Sequence, residues 1–141
     1  MTIRKTILEL DGDGSAALTD TGQFPVYGSV DQVRWVPDAQ DTGPANVGTL
    51  TLFLGKRPVD TGLAQIIWNE ASLVLGNDVH RVPRQPVHTA AGAQVDTGGD
   101  FSEPVYGCGD ALMARFTPGD TGLIAGELHV YWGSRGGLCG A

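Results

Sequence analysis

The chain has 141 residues, 41% hydrophobic and 18% charged, a composition that argues against disorder and fits one folded domain. Its net charge is −7 and its nine Lys and Arg residues are scattered, which argues against a nucleic-acid binder with a clustered basic face. No apolar run approaches the roughly 20 residues of a membrane span, so we expect no membrane contact.

Predicted strands follow one another along the chain, because apolar and polar residues alternate with a period of two. The first strand is predicted in TIRKTILEL, where Ile3, Lys5, Ile7 and Glu9 alternate with Arg4, Thr6, Leu8 and Leu10. Further strands are predicted in VDQVRWVPD, VGTLTLFLG, DALMARFTPGD and IAGELHVYWGS. The apolar residues that share a face in these four segments are Val33, Trp35, Leu50, Leu52, Leu54, Leu112, Ala114, Phe116, Leu128, Val130 and Trp132.

The segment LAQIIWNEASLVL is the longest stretch without Gly or Pro, and its pattern fits two structures. As a helix it would place Leu63, Ile66, Ile67 and Val74 roughly on one face. As a strand it would alternate Ala64, Ile66 and Trp68 with their neighbours. We favour a strand, because the surrounding segments have a consistent β pattern.

About eight short strands, each closed by Gly, Pro or Asp, are typical of a sandwich or a barrel. The 21 glycines and 8 prolines agree with many turns between them. The sequence therefore predicts an all-β fold with a single domain over residues 1–141, a β-sandwich of jelly-roll type with long turn-rich loops. Residues 134–141 are expected to form a flexible glycine-rich tail.

The tripeptide Asp-Thr-Gly occurs five times, at residues 20–22, 41–43, 60–62, 96–98 and 120–122. An Asp side chain accepts hydrogen bonds from backbone N–H groups two residues on, and Gly adopts positive φ at low steric cost. The spacing is irregular and the flanking residues differ, which argues against a repeat protein. Each triplet is therefore expected to form a turn at a strand end.

Asp-Thr-Gly also surrounds the catalytic carboxylate of aspartic proteases, which need two carboxylates that share a proton beneath a cleft. In such proteases Ala or Ser usually follows the glycine, whereas here the following residues are Gln, Pro, Leu, Gly and Leu. Only one of five copies could serve catalysis. We therefore predict turns, no enzyme activity and no catalytic residue.

Neither the histidines nor the acidic loop near the N-terminus predicts a metal site or a cofactor site. His80, His88 and His129 lack a metal-ligand spacing. The segment LDGDGSAAL alternates Asp and Gly but lacks the later Glu of a calcium loop, so we expect a plain hairpin. The three tryptophans are expected to be core or interface anchors, with a sugar-stacking platform as the alternative.

The two cysteines, Cys108 and Cys139, occur in the glycine-rich contexts YGCGD and GLCGA. The N-terminal stretch MTIRKTILELDGDGS lacks the apolar core of a signal peptide, so we expect synthesis in the cytoplasm. A reducing cytoplasm favours free thiols, although a disulfide between the two stays open.

The order of several segments resembles a known family. These segments are DGDGSAA, VYGSVDQVRWVPD, VGTLTLFLG, QIIWNEASL, VHRVPRQP and GELHVYWGS, which span nearly the whole chain from Ile3 to Ser134. In this order they resemble a family of small virion proteins of tailed bacteriophages, encoded among head and head–tail genes. The resemblance implies a structural part of the phage particle, foremost a capsid decoration (cement) protein, and it carries over no functional residue.

A decoration protein would lie on the surface of the virion head, between subunits of the major capsid protein, and would need no cofactor. A homotrimer would match the quasi-three-fold joints of a capsid. Two alternatives stay open. One is a tail or head–tail structural protein, and the other is a carbohydrate-binding adhesin module, suggested by Trp and Tyr residues on predicted strands.

The N-terminal residues MTIRK carry two of the nine basic residues of an otherwise acidic chain. Residues 1–5 are a candidate arm that adds a strand to a capsid edge or pairs charges with it. The candidate capsid contacts are therefore Thr2, Ile3, Arg4 and Lys5. The alternative is that these residues form an ordinary first strand of the sandwich.

Overall fold

The computed structural model describes residues 2–12, 16–38, 47–74, 76–86, 91, 93, 102–119 and 124–134. Within these ranges the chain forms nine strands and no helix, and all of their pairings are antiparallel. The strands are β1 (Thr2–Gly12), β2 (Leu18–Thr21), β3 (Val26–Pro37), β4 (Val47–Gly55), β5 (Gln65–Val74), β6 (Val79–Arg81), β7 (Arg84–Pro86), β8 (Ser102–Pro118) and β9 (Ile124–Ser134). The predicted all-β fold is confirmed.

The strands follow the order β1-β9-β3-β8-β4-β5 in one sheet, with β2 and β7 paired to β8 and β6 paired to β3. The long strand β8 joins the two halves of the sheet. Its first part pairs with β3 as far as Asp110, and its second part pairs with β4 from Ala111 onward. Gly109 lies near the end of the first part, at a register shift against β3, with a φ of +90°, a bulge conformation that glycine adopts with little strain.

One hydrophobic core takes side chains from both halves of the sheet. Leu8 of β1 and Trp35 of β3 belong to the same cluster as Leu50 of β4 and Phe116 of β8. The two halves therefore face each other across a shared core, as in a two-layer β-sandwich. Every residue predicted to share the apolar face of the four later strands is buried.

The ambiguous segment LAQIIWNEASLVL contains β5 (Gln65–Val74), so the preference for a strand over a helix is confirmed. Simple alternation does not hold along it, since Ile67 and Leu73 are the buried residues and Ile66 is exposed. Two register shifts against β4 explain the difference, and Ser72 adopts a φ of +56° near one of them.

The expectation of free thiols is wrong for Cys108, which forms a disulfide. The chain has one other cysteine, Cys139, and it lies outside the described ranges, as do residues 135–141 of the predicted tail. The strand pairing gives the physical reason for the correction. Gly28 of β3 pairs with Gly107, next to Cys108, and also with Ser134, where β9 ends. The region next to Cys108 and the end of β9 therefore lie on either side of Gly28, although they are distant in sequence.

Candidate interaction surface

Strand β1 is an edge strand with a regular backbone. It pairs with β9 from Thr2 to Gly12 without a register shift, and no second strand pairs with it among the described residues. The Glu9 N–H donates to Asp20 Oδ2 at 2.7 Å and therefore points away from β9. Because alternate residues of an antiparallel strand direct their backbone groups to the same side, those of Ile3, Lys5 and Ile7 also face the open edge.

The four predicted contact residues, Thr2, Ile3, Arg4 and Lys5, all lie in β1. They pair with β9 from Ser134 to Tyr131 and are exposed. Residues 2–5 thus belong to the first strand of the sheet, the second of the two interpretations, rather than to an arm that precedes it. Their place at the sheet edge still leaves them accessible to another chain.

An open groove runs along the free edge of β1. Two surface pockets, each of about 540 Å³, share Lys5, Thr6 and Phe24 and so form one continuous depression. One wall is segment 4–9 of β1, and the other is segment 20–27, which leads from β2 into β3. We call this depression the β1 groove.

Large apolar side chains are exposed at the β1 groove. Phe24 is 71% exposed, Tyr27 49% and Ile7 42%, and all three line it. Exposed apolar side chains that cluster in this way mark interaction sites more often than single ones do. The sequence prediction missed Phe24 and Tyr27. Their signal was the segment QFPVY, where aromatic residues flank Pro25 outside any alternating pattern.

Two basic side chains lie at the open end of the β1 groove. The Arg4 guanidinium carbon is 6.0 Å from the centre of the Trp132 ring, within range of a cation–π interaction. The buried Trp132 is held in turn by its Nε1–H, which donates to Thr6 Oγ1 at 3.1 Å. Arg4 thus lies over a fixed ring, and both Arg4 and Lys5 are exposed. Together they place positive charge on the edge of an acidic domain.

The first Asp-Thr-Gly triplet closes the other end of the β1 groove. It lies at the end of β2, as predicted, but the Asp20 carboxylate binds across to β1 instead of two residues on. The Gly22 N–H donates to the Leu112 carbonyl at 2.8 Å. A Cβ atom at Gly22 would lie 2.9 Å from Thr6 Cγ2, so glycine permits the close approach of this segment to β1.

The triplet at residues 60–62 forms the predicted turn. Asp60 Oδ1 accepts a hydrogen bond from the Gly62 N–H at 2.9 Å, and the Asp60 carbonyl accepts from Leu63 and Ala64. Neither Gly22 nor Gly62 adopts a positive φ. The expectation of a positive φ at the glycine is therefore wrong for both triplets that the structure describes. The other three triplets, at residues 41–43, 96–98 and 120–122, are not among the described residues.

Asp20→Ala is expected to lower the free energy of unfolding by about 1 kcal/mol, because it removes the charge-assisted hydrogen bond between β2 and β1. Urea denaturation measures the change. Asp20→Asn is the matched control, since its amide oxygen can still accept from the Glu9 N–H and should retain most of the stability. Equal losses in both variants would show that charge, and not the hydrogen bond, holds this contact.

A polar cluster lies apart from the β1 groove, around Arg34 and Asp78. Their side chains form a bidentate pair, with Nη2 2.7 Å from Oδ2 and Nε 3.2 Å from Oδ1. The hydrogen bonds from Arg34 hold the pKa of Asp78 below its usual value. Any stabilisation by the pair is therefore present above the usual carboxyl range and is lost as the pH falls through the lowered pKa. Both groups are exposed, so we expect the contribution to be small.

Each of the two described histidines makes a side-chain contact near this cluster. His80 Nδ1 is 2.9 Å from Gln32 Nε2, and His129 Nε2 is 3.1 Å from Glu127 Oε1. The third histidine, His88, falls in a range that the structure does not describe. Among the described residues, no group of three His, Cys, Asp or Glu side chains is arranged to hold a metal ion.

Two of the three tryptophans are core residues. Trp35 and Trp132 are buried, which confirms the core interpretation for them. Trp68 is partly buried and packs against the same core. A sugar-stacking platform would therefore have to be built around Trp68 and tyrosines.

Comparison with known proteins adds no family to these observations. No protein-family model matches the chain, and no curated protein matches it. Within the described ranges the structure also has no helix long and apolar enough to cross a membrane. The β1 groove is thus defined by the geometry of this chain alone.

Proposed function

We propose that this chain is a structural protein of a tailed-bacteriophage virion, and specifically a capsid decoration protein that binds between major capsid protein subunits. The β1 groove carries the proposal, because it combines an open edge strand, exposed apolar side chains and basic residues on an acidic domain. The order of segments from Ile3 to Ser134, which resembles that of small virion proteins, supports the same role.

The physical demands on a cement protein fit these features. Its contacts can be weak individually, because each joint of a shell is covered many times and small interface energies sum. A negatively charged surface keeps the free protein soluble at high concentration. The β1 groove, with exposed apolar side chains, Arg4 and Lys5 toward one end and Glu9, Asp20 and Glu127 toward the other, then supplies the contact with the major capsid protein. A homotrimer would match the quasi-three-fold joints of the head surface.

A tail or head–tail structural protein would bind through the same surface. Only its partner in the particle would differ from that of a decoration protein. The carbohydrate-binding alternative loses support, because Trp35 and Trp132 are buried and cannot stack on a sugar. Trp68 is the tryptophan that remains partly accessible.

Binding to purified shells tests the proposal. Expanded heads assembled without this protein should bind it in a fixed ratio and gain resistance to heat. The double variant Phe24→Ser, Tyr27→Ser should bind more weakly, because it removes exposed apolar area from the β1 groove. Val82→Ser is the matched control, since Val82 is 61% exposed but does not line the groove.

These binding measurements distinguish an error in the proposed role from an error in the proposed interface. Absence of binding to any shell would contradict the decoration role. Equal binding by the double variant and the wild type would contradict the assignment of the interface to the β1 groove.

A further inference from the structure

We propose that the free edge of β1 accepts an extended strand of a partner chain that carries an acidic side chain between two apolar ones. The identity of the partner rests on the proposed function, whereas the binding chemistry is a property of β1 alone. This mode of recognition is β-strand addition, in which main-chain hydrogen bonds supply affinity and alternate side chains supply specificity.

Of the two strands that end the sheet order, β1 is the one suited to such pairing. The other, β5, has two register shifts and a positive φ at Ser72. Bulges of this kind bend an edge strand and hinder the addition of another. Strand β1 instead keeps one register with β9 along its whole length.

The backbone of β1 offers a defined row of hydrogen-bonding groups. The Asp20 carboxylate already accepts from the outward-facing Glu9 N–H, so this side of the strand can bind an acceptor. The next outward-facing residues toward the N-terminus are Ile7, Lys5 and Ile3. A partner strand of about five residues would span them, since paired strands advance at the same rise per residue. Asp20 marks the end of the available edge.

The side chains of the same row define the partner's chemistry. Ile3, Lys5 and Ile7 are two positions apart and lie in a row on one exposed face of β1, with the lysine between the two isoleucines. Apolar side chains opposite the two isoleucines and a carboxylate opposite Lys5 would form favourable cross-strand pairs. Arg4, which lies next to Lys5 and contacts Trp132, adds positive charge at the same end.

A second copy of the chain fits this edge poorly. Antiparallel pairing of two β1 strands over the available stretch would place Ile3 opposite Ile7 of the second copy. Lys5 would then stand opposite Lys5 of the second copy, and like charges directly opposite each other destabilise a sheet. A lysine in an exposed edge strand is a known protection against self-association. The charge pattern therefore selects an acidic partner strand.

Two capped peptides test the chemistry with the full chain. One has the sequence Thr-Val-Thr-Glu-Thr-Val-Thr, and the other has Lys in place of Glu. The acidic peptide should slow amide hydrogen exchange at Lys5 and Ile7 and bind about fivefold more tightly than the basic one. Lys5→Glu should reverse this preference. Equal binding of both peptides to the wild type would overturn the charge assignment.

A proline variant tests the backbone contribution. Ile7→Pro removes an N–H that faces the open edge, so the ladder to β9 should persist while peptide binding is lost. Ile7→Thr is the matched control, because it loses the same apolar side chain but keeps the N–H and should still bind. Unfolding in urea shows whether both variants remain folded. Undiminished peptide binding by a folded Ile7→Pro variant would overturn strand addition.

The same variants separate this proposal from the proposed function. Wild-type binding to the acidic peptide without binding to phage shells would overturn the virion role and support strand addition at β1. Shell binding and peptide binding that are both left unchanged by Ile7→Pro would overturn strand addition and support the virion role through other contacts.

Discussion

Trp35→Ala is expected to lower the free energy of unfolding by about 3–5 kcal/mol, the range for truncation of a large buried aromatic side chain. Trp35 lies on β3, is fully buried and belongs to the core shared by both halves of the sheet. The surrounding strands cannot close the cavity fully, because their ladders fix their spacing. Urea denaturation monitored by circular dichroism measures the loss.

Trp68→Ala is the matched control, because Trp68 is only partly buried on the edge strand β5. Its loss should cost about 1–2 kcal/mol, since less apolar area leaves the core. Equal costs at the two positions would contradict the assignment of Trp35 to the centre of the fold.

Cys108→Ser is expected to lower the free energy of unfolding by about 2–4 kcal/mol under oxidising conditions, because it removes the disulfide that constrains the unfolded chain. The wild type in the presence of a reductant should fall to the stability of the variant. Thermal unfolding with and without the reductant measures both changes.

The variant serves as its own control, because a reductant should leave the stability of Cys108→Ser unchanged. An unchanged midpoint of the wild type after reduction would show that the disulfide contributes nothing to stability.

The strands and the core could be predicted from the sequence because burial on one face forces a period of two. The segment VGTLTLFLG illustrates this, since Leu50, Leu52 and Leu54 are all buried as their spacing requires. The full length of β8 could not be predicted. The alternating pattern in the sequence begins at Asp110, because Gly107 and Gly109 resemble chain breaks. In the structure Gly109 forms a bulge, and Gly107 lies close to Val26, where a Cβ would be 3.0 Å from Val26 Cγ1.

The candidate surface was predictable on one side only. The charge of Arg4 and Lys5 is visible in the sequence, and so is their place in the first strand pattern. The opposite wall, with Phe24 and Tyr27, depends on how β2 and β3 return past β1, which local patterns do not encode. The disulfide escaped prediction for the same reason, since strand pairing determines what lies near Cys108.

Electron microscopy of purified virus particles with a labelled antibody against this chain tests the central claim most directly. The particles should come from cultures in which the gene is expressed. A decoration protein should be present in many copies, with label distributed over the whole surface of the head. Label confined to the tail tip, or particles without label, would contradict a role in capsid decoration.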